Sequence, residues 1–86
     1  MHEHETYMRE ALAEAEEGAR QGEVPVGALL VTPDGDIIAR AHNRPISLND
    51  PTAHAEILVL RQAAEQVANY RLPGHVLHIT HGSRVT

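Results

Sequence analysis

His54 and Glu56, separated by one alanine and preceded by Asp50-Pro51-Thr52-Ala53, are the residues of this chain best suited to chemistry. A neutral imidazole is a common zinc ligand, and a carboxylate beside a metal-bound water can move protons between that water and a substrate nitrogen. The pair looks like half of a hydrolytic zinc site. The other half must come from elsewhere, because zinc takes three or four protein ligands and the sequence holds no cysteine. On an ideal helix, residues two apart point about 200° from each other, so His54 and Glu56 cannot meet on one helical face. They can meet end-on. If a helix starting here aims its N-terminus into a pocket, its dipole favours an anionic glutamate at that place. Asp50, Pro51 and Thr52 suit such an entry, with Thr52 or Asp50 as the cap. The bare tripeptide H-x-E is short, and on its own a solvated helix turn explains it more often than a site does.

Other histidines are weaker candidates. His75 and His78 lie three apart on an expected strand and so face opposite ways, and His81 alone would add a second nitrogen without the charge of a thiolate. His2-Glu3-His4-Glu5 could chelate a metal loosely, although a frayed terminus is the simpler expectation.

The elements that must position the pair follow from periodicity. Met8, Ala11, Leu12, Ala15 and Ala19 recur at helical spacing over about residues 5–21, and Gly22 is a C-terminal stop. Val24 to Val31 is a nearly continuous apolar run rich in valine, which reads as a strand buried on both faces. Thr32-Pro33-Asp34-Gly35-Asp36 has turn chemistry and Ile37 to Ala41 returns as a second strand, making a hairpin. His42 to Pro51 is an ordered loop. Ile57, Leu60, Ala64 and Val67 mark the buried face of a second helix running to about Asn69. Leu72-Pro73-Gly74 ends it, and His75 to Thr80 reads as a third strand, reached by a helical crossover and expected to lie parallel to a hairpin partner. Residues 81–86 show no pattern.

Composition bounds the function. The chain has 86 residues, enough for one small domain that buries about 60–65% of its unfolded surface. With aromatics at 2% and neither Phe nor Trp, the core must be built from Ala, Val, Ile and Leu. Twelve acidic against seven basic residues give a net charge of −5, the opposite of a self-sufficient nucleic-acid binder. Disulfides are excluded. The first twenty residues carry acids where a secretory signal has a basic head and an apolar run, and no run approaches the roughly 20 apolar residues of a membrane span. A cytoplasmic protein without membrane contact is the expectation.

Four segments then change the weight of the H-x-E pair. Val24-Pro25-Val26-Gly27-Ala28, Asn43-Arg44-Pro45-Ile46, Asp50-Pro51-Thr52-Ala53-His54-Ala55-Glu56-Ile57 and Asn69-Tyr70-Arg71-Leu72, in this order, resemble the bacterial tRNA adenosine deaminases of the cytidine-deaminase superfamily. The resemblance runs from about Glu5 to Thr80. It implies an α/β fold: the N-terminal α-β-β-α-β part of a three-layer α/β/α sandwich with a mixed sheet, residues 1–86 forming an incomplete deaminase domain. It also implies roles. His54 would be the nitrogen ligand to zinc and Glu56 the general acid/base that is not a ligand, while Asn43 would contact the base and Val26 and Ala53 would line the pocket. In the implied reaction, zinc activates water for attack on C6 of a flipped-out adenine, Glu56 carries the proton and ammonia leaves to give inosine. The implied partners are a tRNA anticodon loop and a second copy in a homodimer.

After Thr80 the family pattern would continue through Pro-Cys-x-x-Cys, whereas this chain has His81-Gly82-Ser83-Arg84-Val85-Thr86. The third strand is thus expected at an open sheet edge, and a shifted reading frame or a truncation is expected to account for the break. Two other functions compete with the tRNA enzyme: a cytosine- or guanine-type deaminase of a free base or nucleotide, and a non-catalytic truncated remnant.

Overall fold

The structure is a computed structural model that describes residues 3–68, 71–80 and 82–85. Its elements follow the order α1 (Glu3–Arg20), β1 (Gly27–Val31), β2 (Ile37–His42), α2 (Ala55–Val67), β3 (Val76–Ile79) and β4 (Gly82–Val85). The four strands form one sheet in the order β2-β1-β3-β4. Central β1 is buried along its whole length, because alternate residues meet helices on opposite faces. Gly27 lies under α1, so close that an added Cβ would come 1.9 Å from the Ala11 carbonyl oxygen. Ala28 and Leu30 look the other way and cluster with Ala55, Val59 and Ala63 of α2. Small side chains let both helices approach closely, and Leu29, Leu30 and Val59 are the largest fully buried side chains. The layers are α1, sheet and α2.

The hairpin forms as the turn residues dictate. Gly35 adopts φ +95° and donates its N–H to the Thr32 carbonyl at 2.9 Å, while Thr32 N–H reaches Asp36 O at 2.8 Å. Strand β1 begins three residues later than the apolar run suggests, since Val26 N–H closes a tight turn onto Val24 O at 2.9 Å and Pro25 has no N–H to give a ladder. Helix α1 ends in a Schellman motif: Gly22 takes φ +82°, its N–H bonds Ala19 O and the Glu23 N–H bonds Gly18 O, each at 3.0 Å. Helix α2 stops at Val67 on a left-handed Ala68, and its expected end at Asn69 falls outside the described residues.

Two expectations are corrected. The crossover through α2 passes over β1, so β3 runs in the same direction as β2 but is hydrogen-bonded to β1, antiparallel, with Ala28 opposite Ile79 and Leu30 opposite Leu77. Where a mixed sheet was expected, all three neighbouring pairs among the described residues are antiparallel. The far edge of β3 is also not open, because patternless residues 82–85 pair with it as β4. A backbone beside a free edge can join a ladder whatever its side-chain pattern. Among the described residues no helix is long and apolar enough to cross a membrane.

Candidate active site at the N-terminus of the second helix

β2 and β3 point their C-terminal ends the same way, and the chain between β2 and α2 folds back across that end. Hydrogen bonds draw the candidate residues together. Asn43 N–H donates to Val26 O at 3.0 Å and Arg44 N–H to Ala53 O at 2.8 Å. The Asn43 side-chain oxygen accepts the Ala55 N–H at 2.8 Å, a buried bond. At the same end, Thr80 N–H donates to Gly27 O at 3.1 Å. Val26, Asn43, Ala53 and the His54–Glu56 turn thus occupy one end of the sheet. Such ends, beyond the carboxyl termini of strands, are where open α/β sheets bind ligands.

His54 is the N-cap residue of α2 with extended φ −85°, ψ 149°, and its side chain makes no capping bond. It is exposed, Glu56 is half-buried, and the flanking Ala53 and intervening Ala55 are buried. The expected cap by Asp50 or Thr52 is replaced. Asp50 Oδ1 instead accepts the N–H and hydroxyl of Thr52 at 2.9 and 2.8 Å, a local turn that lowers the Asp50 pKa, and the first free N–H of α2 is taken by Asn43 from twelve residues away. Asn43 is accordingly part of the helix entry. Its side-chain oxygen is committed to Ala55.

The loop from 44 to 50 is itself a helical turn, with Leu48 N–H on Arg44 O at 2.9 Å. Glu23, at 5% exposure, closes it: its carboxylate accepts Ile46 N–H at 3.2 Å and both the N–H and hydroxyl of Ser47 at 2.5 Å. Burial pushes its carboxyl up, but the bonds from Ser47 and Ile46, together with the nearby His42, hold it below the usual range. The Schellman motif is the only trace of this in the sequence, since the partners lie more than twenty residues downstream.

Of the remaining histidines, His42 adjoins the site, buried at the end of β2 with Nδ1 3.1 Å from Asn43 O, and the others lie elsewhere. His78 is buried against Tyr7, ring centroids 4.9 Å apart, where burial foremost and then His4 lower its pKa. His75 precedes β3 with Nδ1 3.1 Å from Pro73 O, and His2 and His81 fall outside the described residues. Among the described residues no three of His, Asp and Glu gather as a metal-binding group. A groove of about 300 Å³ between Ile37–Arg40 and Gln62–Gln66 lies toward the opposite end of α2.

The family described as the cytidine and deoxycytidylate deaminase zinc-binding region matches residues 1–82. The chain is 50% identical over 80 residues, 93% of its length and 52% of the relative's, to the tRNA-specific adenosine deaminase of Agrobacterium fabrum. A solved structure from work on A-to-I editing by tRNA:A34 deaminases superposes with a TM-score of 0.83 at 50% identity, covering 86% of this chain and 53% of that one. Guanine deaminase from Bacillus subtilis superposes equally well, TM-score 0.83, at 40% identity over 88% of this chain and 48% of that one. The chain spans about half the length of these relatives. With the fold of these deaminases and a family match that covers nearly every residue, the chain belongs to the cytidine and deoxycytidylate deaminase family.

Proposed function

We propose that this chain supplies the base-binding and proton-transferring half of a deaminase domain that converts adenosine to inosine at the wobble position of a tRNA anticodon loop. The observation that carries the reading is the bond set joining Val26, Asn43, Ala53 and the His54–Glu56 turn at one end of the sheet. Similarity to tRNA-specific adenosine deaminases supports the choice of substrate. In this reading Val26 and Ala53 form apolar walls against the purine. Asn43, its oxygen held by Ala55, turns its NH₂ to an acceptor on the base edge, which rejects bases lacking that acceptor. Glu56 accepts a proton from water and returns it to the leaving nitrogen, the role of a carboxylate that switches between base and acid. A second copy in a homodimer and the anticodon loop are the proposed partners.

The family's zinc does not fit the residues present. His54 offers one imidazole, the sequence has no cysteine, and no metal-binding group is gathered among the described residues. These residues account for holding a base and moving a proton at Glu56, not for activating water. In a domain completed by two thiolates, His54 would be the nitrogen ligand.

The test is a graft of residues 1–80 onto the C-terminal half of the Agrobacterium fabrum relative, assayed for inosine in an anticodon stem-loop. Turnover is expected, with Glu56→Ala keeping zinc and losing activity and His54→Ala losing both. A graft that binds zinc and leaves adenosine unchanged overturns the reading. The equal superposition on guanine deaminase favours a second one, free-base deamination, which faster turnover of guanine than of the stem-loop would establish.

A further inference from the structure

We infer that Glu23 is a positioning residue for this site: it caps the turn at 44–50 from the end of α1 and thereby sets where Asn43 stands at the mouth of α2. The inference rests on the deaminase reading only for what Asn43 is positioned to do.

The physical case starts from the turn. A helical turn leaves its first N–H groups without intrahelical partners. In the turn 44–50, position 45 is proline and has none to offer, so the orphan donors are the N–H groups of Ile46 and Ser47. Both point at one carboxylate, Oε1 taking Ile46 and Oε2 taking Ser47. The Ser47 hydroxyl adds a third bond to Oε2. An anion at the N-terminal end of a helical turn is favoured twice over, by hydrogen bonding and by the local dipole.

Glu23 can do this because its own backbone is held. It is the residue after the left-handed Gly22 and its N–H is bonded to Gly18, so its position follows from the end of α1, and α1 in turn is seated on Gly27. On the other side, the capped turn is continuous with the site. Arg44 N–H is tied to Ala53 O, Asp50 N–H returns to Pro45 O at 3.0 Å, and Asn43, next along the chain, holds the Ala55 N–H. A displacement of the turn is therefore felt at Asn43 and at the first turn of α2. No catalytic group contacts Glu23 directly; its influence runs through the turn.

Amide hydrogen exchange on the full 86-residue chain tests it, comparing the native protein with Glu23→Gln, Glu23→Ala and Ser47→Ala. Glutamine fills the same space but presents NH₂ to one of the two N–H groups. The expected result is about a tenfold or greater loss of protection at the Ile46 and Ser47 amides, accompanied by loss at the Ala55 amide and a shifted Asn43 side-chain NH₂ signal, with Ala63 in the middle of α2 unchanged. Ser47→Ala, which keeps both N–H bonds, should leave Ala55 protected. Loss at 46 and 47 with Ala55 and the Asn43 signal unmoved would overturn the positioning role, leaving Glu23 a local brace. Unchanged protection throughout would overturn the cap itself. If the Glu23 variants unfold, acid titration of the native chain gives the same readout: Ile46, Ser47 and Ala55 should deprotect together as Glu23 protonates, ahead of Ala63, and uniform loss would refute the inference. None of these readouts uses turnover, so the deaminase reading and this one can fail separately.

Discussion

Asn43→Ala removes the oxygen that satisfies the Ala55 N–H. Ala55 is fully buried, it is the first residue of α2, and the bond is 2.8 Å long, so no intrahelical carbonyl can replace the acceptor. An abandoned buried donor costs about 1–3 kcal/mol, and truncated helix caps fall in a similar range, about 0.5–2 kcal/mol. For a domain of this size each kcal/mol moves the melting temperature by about 4–8 °C, so a fall of at least about 4 °C is expected. Asn43→Asp keeps an acceptor, now charged, at the positive end of α2, and should recover at least half of the loss at pH 7. Circular dichroism melts and urea midpoints on the three proteins measure both numbers. If Asn43→Ala lies within about 0.5 kcal/mol of the native chain, the range of ordinary surface changes, or if Asp is as damaging as Ala, then Asn43 does not hold the helix entry and the account of the site's assembly fails.

Gly27→Ala should be more damaging, about 3 kcal/mol or more, because its methyl would meet the backbone of Ala11 and Ala15 and only a shift of α1 relieves it; a urea midpoint close to the native value would show that α1 is not seated there. Metal analysis after dialysis should find far less than one zinc per chain, since a zinc site takes three or four ligands; a stoichiometric ion would direct attention to His75, His78 and His81. Acid should loosen the turn at 44–50. The Glu23 pKa is lowered in the folded chain from an ordinary 4.5, so its contribution is fully present above that value and is lost as pH falls through the lower, folded one. Urea midpoints between pH 7 and 3 should fall less steeply in Glu23→Gln, and parallel curves would refute the cap.

Much of the fold could be read without coordinates because its causes are local. The alanine periodicity of α1, the valine-rich run of β1 and the Pro-Asp-Gly turn each act over a few residues, and each element formed within a few residues of its expected bounds, although the buried face of α2 is Ala55, Val59 and Ala63, with the expected Ile57 and Val67 exposed. The order of motifs likewise identified the family. What depended on distant partners was not legible. The crossover determined that β3 follows β2, but only packing over β1 decided its hydrogen-bonded neighbour. The helix entry looked like work for Asp50 or Thr52, its sequence neighbours, whereas the fold gave it to Asn43, because the return of the chain from β2 brings that amide onto α2. Nothing in the sequence around Glu23 singles it out. Only the tertiary structure lays the end of α1 against residues 46 and 47, and a buried carboxylate gains its meaning from the donors that folding brings to it.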